Sequence, residues 1–235
     1  MNDFFYEDQW ALRAIDALDA WKIEKGSSDV IIAIVDSGVD YNHDDLKPRI
    51  WVNPGEIDGN GLDDDGNGYV DDIRGWDFVD SPYLPADVDQ LDRDNDPVDE
   101  NGHGTHVSGI AAAVPNNSKG IAGITWNCRI MALRGGADFF EDDDLSAAIL
   151  YAADNGAHVI NMSFGSRFWA QVISDAVEYA HERDVVCVSS AGNIDVAFDM
   201  TPAGFPTVVA AGGSNHDDLR IGAYGDHLDV TAPAD

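Results

Sequence analysis

The sequence predicts a single α/β domain of three layers, with helices on both faces of a doubly wound, mostly parallel sheet. Three observations carry that expectation. From residue 103 onward, stretches of helical period alternate with short apolar runs. The run Val30-Ile-Ile-Ala-Ile-Val35 is almost entirely β-branched, as in a strand buried on both faces. The connections between alternating segments are short, and no internal repeat or domain boundary is visible over residues 1–235.

Taken in order, residues 9–21 place Trp10, Leu12, Ile15, Leu18 and Trp21 at helical spacing, with Asp8 as the N-cap. Gly26-Ser-Ser28 ends that pattern. The strand over 30–35 follows and closes in Asp36-Ser37-Gly38. This puts a carboxylate at a strand's carboxyl end, where ligands bind in open α/β sheets. Residues 53–100 are rich in Asp, Asn, Gly and Pro and read as a long acidic surface insertion, a length that usually carries function or disorder. Helices over 103–114, 142–155 and 168–183 then alternate with strands over 129–133, 157–161 and 184–188, and a further strand covers 207–211.

The composition narrows the function. Forty-four acids face thirteen bases, a net charge of −31, and such a surface repels nucleic acid and anionic membrane while attracting divalent cations. No apolar run reaches the roughly 18 residues needed to cross a bilayer. The N-terminus, Met1-Asn-Asp-Phe-Phe-Tyr-Glu-Asp8, lacks a basic region followed by an apolar core, so it is not a signal peptide. That leaves a cytoplasmic protein or one whose leader was removed. Cys128 and Cys187 are too few for a disulfide framework and read as buried free thiols.

The stretch that organises the chemistry is Asn101-Gly-His103-Gly-Thr-His106-Val-Ser-Gly109. Glycines flanking His103 let another backbone approach, because no Cβ stands in the way. Imidazole suits general base work, since its unperturbed pKa lies near neutrality. A buried or helix-capping histidine is the plain alternative. A zinc hydrolase using His103 and His106 fails on spacing, because an i, i+3 pair without an intervening Glu matches no zinc-protease signature. Further on, Asp63, Asp65, Asn67, the Tyr69 carbonyl and Asp71 fall at positions 1, 3, 5, 7 and 9 of a calcium-loop pattern, with Gly68 at position 6. Position 12 is Arg74 rather than Glu, so a site there must close differently; a solvated acidic loop is the alternative.

Ile34-Val-Asp36-Ser-Gly38, Asn101-Gly-His103-Gly-Thr-His106 and Ser190-Ala-Gly192-Asn193 occur in this order. With Val114-Pro-Asn-Asn117-Ser-Lys-Gly-Ile121-Ala-Gly123, Val159-Ile-Asn-Met-Ser163, Pro202-Ala-Gly-Phe-Pro206 and Tyr224 through Pro233, the chain resembles the subtilisin-like serine proteases, the subtilases, in their thermitase-like branch. The resemblance implies an endopeptidase whose substrate is a peptide or protein, bound as an added strand. It implies that Asp36 orients His103, that His103 is the general base and then acid, and that Asn193 donates to the oxyanion. Substrate edges would be Leu133-Arg134-Gly135-Gly136 and Ser163-Phe164-Gly165, with Ser190-Ala191-Gly192 along a specificity pocket. The nucleophile of the family lies in a Gly-Thr-Ser-Met-Ala-x-Pro segment, and no serine here sits in one. The chain therefore looks C-terminally incomplete and inactive alone, with a complementing segment, a propeptide or self-association as its implied partners. Family members are extracellular, which is the expected location. A non-catalytic calcium-binding module that grips peptides is the alternative function.

The resemblance also implies Ca2+ at two further places. In one, Asp3, Asp45 and the Asn117 side chain would join the carbonyls of Val114, Lys119 and Ile121. In the other, Asp77 and Asp80 would be ligands.

Overall fold

The computed structural model describes residues 1–80, 93–137, 139–197 and 200–234. The N-terminal pattern folds as two short helices, α1 (Trp10–Ala14) and α2 (Ala17–Ala20). The break falls at Asp16, whose φ of 52° is left-handed and cannot continue a right-handed helix. Gln9, not Asp8, precedes α1, and no side chain caps it. Leu12, Ala17 and Trp21 still turn inward, against Ala122.

The rest follows the βαβ plan. In chain order come β1 (Ile31–Asp36), β2 (Gly75–Asp77), α3 (His103–Ala112), β3 (Arg129–Arg134), α4 (Asp142–Asp154), β4 (Val159–Met162), α5 (Gln171–His181), β5 (Val186–Ser190), β6 (Val208–Ser214), β7 (Arg220–Ile221) and β8 (Val230–Pro233). The sheet order is β2-β3-β1-β4-β5-β6-β7, and β8 also pairs with β6. Every pairing is parallel except β6 with β7. The stretch 53–100 is thus not wholly a surface excursion. It threads β2 onto the sheet and buries Asp77 and Phe78 before returning to α3.

Alternation along β1 assigns the layers. Ala33 and Val35 face α4 and α5, packing with Met131, Leu133, Ile149, Ile160, Met162 and Val177. Ile32 and Ile34 face the other way, toward Val107 and Ala112 of α3 and Leu46. The triple acid Asp142-Asp143-Asp144 in the first turn of α4 complements the positive end of that helix. Both cysteines are buried and free. Among the described residues, no helix is long and apolar enough to cross a membrane.

Candidate active site

β1 ends at Asp36, and the first residue of α3 is His103; the parallel sheet brings the two tips together. His103 Nδ1 lies 2.7 Å from Asp36 Oδ1. The carboxylate is 1% exposed and the imidazole about half exposed, so one partner is held in protein while the other faces a cleft. Asp36 Oδ1 also accepts the Ser37 N–H at 2.8 Å, and Oδ2 is buried with no hydrogen bond among the described residues. A poorly solvated carboxylate gains more from an adjacent imidazolium than a hydrated one does. With Nδ1 taken by Asp36, Nε2 is the nitrogen left for proton transfer.

Two glycines make this approach possible. Gly102, which precedes α3, has φ of 98°. At Gly104 a Cβ would fall 2.1 Å from the Gly38 carbonyl oxygen, so the turn after Asp36 can touch the helix only where no side chain intervenes.

The cleft beside the pair has a volume of about 560 Å³. Asp36, His103, Ser163, Phe164 and Gly165 line it, with Phe140 stacked on Phe164 at 5.6 Å between ring centres. An adjoining cavity of about 480 Å³ is lined by Ser163, Ser190, Gly192 and Asn193. Ser163 lines both, so the aspartate–histidine pair and Asn193 lie in neighbouring hollows. Asn193 is exposed, and its amide makes no hydrogen bond among the described residues. Ala191 does not line the wall; it is fully buried, with its N–H bonded to Ala211.

Leu133 and Arg134 are not a substrate edge. β3 is bonded on one side to β1 and on the other to β2, so its main chain is occupied there. Beyond the strand, Gly135 and Gly136 are buried as well, with the Gly135 N–H donated to the Asp36 carbonyl at 2.9 Å and Gly136 bridged to Phe140. The Arg134 guanidinium is 1% exposed, hydrogen-bonded to Asp77 and, at 3.1 Å, to Glu100. Asp77 is therefore unavailable to calcium: Arg134 takes one oxygen and the Val79 N–H the other. Asp80 pairs with Arg93 at 3.0 Å. Two arginines occupy the place where a divalent ion was expected.

The calcium-loop pattern is also rearranged. Asp63 accepts the N–H groups of Gly66, Asn67 and Gly68, and Asp71 those of Asn60 and Gly61. The Tyr69 ring packs among Trp76, Phe78 and Tyr151. Instead, carboxylate oxygens of Glu56, Asp65 and Asp72 converge within 4.8 Å of one another. Asp72 is fully buried, held by Asn53, Asn67 and Tyr151, and burial raises its pKa. Asp65 and Asn67 thus keep a place in the cluster, while Asp63 and Asp71 serve the turn.

The N-terminal set does come together. Asp3 and Asp45 are 5% and 3% exposed, and neither has an ion-pair partner among the described residues. Asp3 accepts the Asn117 N–H and Asp45 the Asn117 side-chain amide, while the Ile121 N–H points to Asp45. The Val114 N–H binds the Asp45 carbonyl, and the Lys119 carbonyl accepts from Phe4. Two buried carboxylates without a cation are a donor set that suits Ca2+.

Sequence reasoning missed Asp99. Its carboxylate accepts five hydrogen bonds, from Ser37 Oγ, the N–H groups of Asn101, Gly102 and Thr105, and Thr105 Oγ1. Burial alone would raise its pKa, but the donors from Thr105, Gly102 and Ser37 hold it below the ordinary 3.8. An acid just ahead of a helix start was a visible signal; the contact with Ser37, 62 residues away, was not.

Known proteins share this arrangement of chain. The sequence is 37% identical over 239 residues to a thermophilic serine proteinase of Bacillus sp. strain AK1, covering 99% of this chain and 51% of that protein. It is 35% identical to thermitase of Thermoactinomyces vulgaris, covering 99% of this chain and 72% of thermitase. It thus spans about half the length of the first relative and nearly three quarters of the second. A protease of Pseudoalteromonas arctica superposes with a TM-score of 0.83 at 26% identity, over 99% of this chain and 71% of that one. Residues 27–234 match the profile of the Subtilase family, Peptidase S8, which is nearly the whole chain, and on that extent of agreement the chain belongs to the subtilase family.

Proposed function

We propose that this chain is the Asp–His portion of a serine endopeptidase that hydrolyses peptide bonds. The observation that carries the reading is the 2.7 Å contact between His103 Nδ1 and Asp36 Oδ1, beside a cleft of about 560 Å³. His103 Nε2 takes the proton of a serine hydroxyl as that oxygen attacks the peptide carbonyl. Asp36 stabilises the imidazolium, the Asn193 amide donates to the tetrahedral oxyanion, and His103 then protonates the leaving amine. The substrate strand lies against Ser163–Gly165, which line the cleft.

The serine comes from a segment outside these residues. A groove of about 300 Å³, lined by Ile32, Ile34, Val107, Ile110, Val159 and Val188, runs along the side of the sheet that α3 covers. An apolar segment seated there brings its hydroxyl toward both hollows. Ca2+ is held by Asp3, Asp45 and Asn117, and by Glu56, Asp65 and Asp72, where it neutralises converging carboxylates. The complete protein acts outside the cell.

Labelling the complete gene product with a fluorophosphonate tests the reading. Covalent labelling that vanishes in His103→Ala is expected. A complete, folded product that neither labels nor cleaves casein overturns it. Asn193→Ala is expected to lower kcat by about 10²–10³ with little change in KM.

A further inference from the structure

We propose that Asp99 is a positioning residue, whose carboxylate ties the tip of β1 to the first turn of α3 and so holds Asp36 and His103 in register. The inference rests on the reading of those two as the reacting pair.

The first turn of a helix leaves N–H groups without intrahelical partners, and here each is met from outside. Asn101 Oδ1 accepts from His103 at 3.3 Å, Ser37 Oγ from Gly104 at 3.0 Å, and Asp99 Oδ2 from Thr105 at 2.8 Å. Gly102 offers no side chain to do this. Asp99 then joins the pieces. Its Oδ1 accepts from Ser37 Oγ at 2.9 Å, and Ser37 is the residue after Asp36. Its Oδ2 accepts from Thr105 Oγ1 at 2.6 Å, and that hydroxyl accepts the Asp40 N–H at 2.8 Å. One carboxylate thus fixes both the loop that leaves Asp36 and the turn that starts with His103. A slip of either by an ångström would open the 2.7 Å contact between them.

Its charge also acts. The Asp99 carboxylate lies just ahead of the positive end of α3, where an anion is favoured. The other charged or titratable groups facing this region are Asp36 from β1, Glu100 in the preceding loop (bound to Arg134), Asp142 at the start of α4 across the cleft, and His106 one turn along α3.

The test is proton and nitrogen NMR of His103 in the 235-residue chain, which needs no nucleophile. The wild type is expected to show a far-downfield Nδ1 proton bonded to Asp36. Its absence there would sink the catalytic pair itself, separately from this inference. Asp99→Asn is expected to weaken or remove that resonance. Ser37→Ala leaves four of the five Asp99 bonds in place and removes one cap of α3, at the Gly104 N–H. It is still expected to weaken the resonance, and Ser37→Thr to restore it. A residue that merely caps the helix would shift melting temperature in Asp99→Asn while both variants kept the wild-type Nδ1 resonance; that result overturns the proposal. If Asp99→Asn does not fold, the Ser37 pair of variants decides alone.

Discussion

The two faces of the sheet are built to different degrees. On one, α4 and α5 cover β1, β3, β4 and β5, and Ala33, Val35, Met131, Ile160 and Met162 are inaccessible to solvent. On the other, α3 with Val39, Leu46 and Ile50 lies against β1 and β3, leaving Val159, Val188 and Ile110 along an open groove, with Ile110 48% exposed. The covered face supplies stability. On the proposed reading His103, at the head of α3, places the reacting pair at the open face, beside a cleft that Leu145 and Ile173 of the covered side also line.

The largest test of this contrast compares truncations. Ile160→Ala on the covered face is expected to cost about 2–5 kcal/mol by urea denaturation, and Ile110→Ala on the open face under about 1 kcal/mol. Equal losses would mean that the two faces are packed alike. Calcium comes next. At a hundred times its dissociation constant, an ion bound only by the folded form adds about 2.7 kcal/mol, so melting temperature should rise with Ca2+ and fall with EDTA. Glu56→Gln and Asp45→Asn should each remove part of the effect; no response to EDTA would refute both sites. Arginine already fills the Asp77–Asp80 region, so Asp80→Asn should leave the calcium response intact.

A smaller effect concerns acid. Asp99 titrates below its ordinary 3.8 in the folded chain, so its stabilisation is complete above that value. It is lost as pH falls through the lower folded value. The half-buried site is partly screened, so the difference is under about 1 kcal/mol. Urea midpoints from pH 5 to pH 3 should fall further for the wild type than for Asp99→Asn. Smallest of all is a contrast between adjacent positions. Burial pushes the Cys187 thiol up to about 12, so it should resist alkylation in the native state. Val188→Cys, one residue on and facing the groove, should react quickly.

Much of the fold was legible because it is local in origin. The β-branched run of β1 and the helical periods of α4 and α5 show in short windows, and their observed bounds differ from expectation by a few residues. Asp36 and His103 were legible as motifs, and the structure brings them into contact. Legibility failed where partners are distant. Nothing in the spacing of Asp63, Asp65, Asn67 and Asp71 tells which carboxylates turn toward backbone N–H groups and which toward Glu56 and Asp72. Arg134 was placed on a substrate edge by the resemblance alone, whereas β2 pairs with it from 57 residues away.

By itself, the sequence determined the chain order of β1, α3, β3, α4, β4, α5, β5 and β6, and the residue types at the strand tip and helix start. Those follow from side-chain period and backbone preference, which act over a few residues. Only the tertiary structure decided which acid meets an arginine, which meets a turn, and which, like Asp99, binds two elements together. Hydrogen bonds reach about 3 Å, and that proximity is created by the packing of segments far apart in the chain.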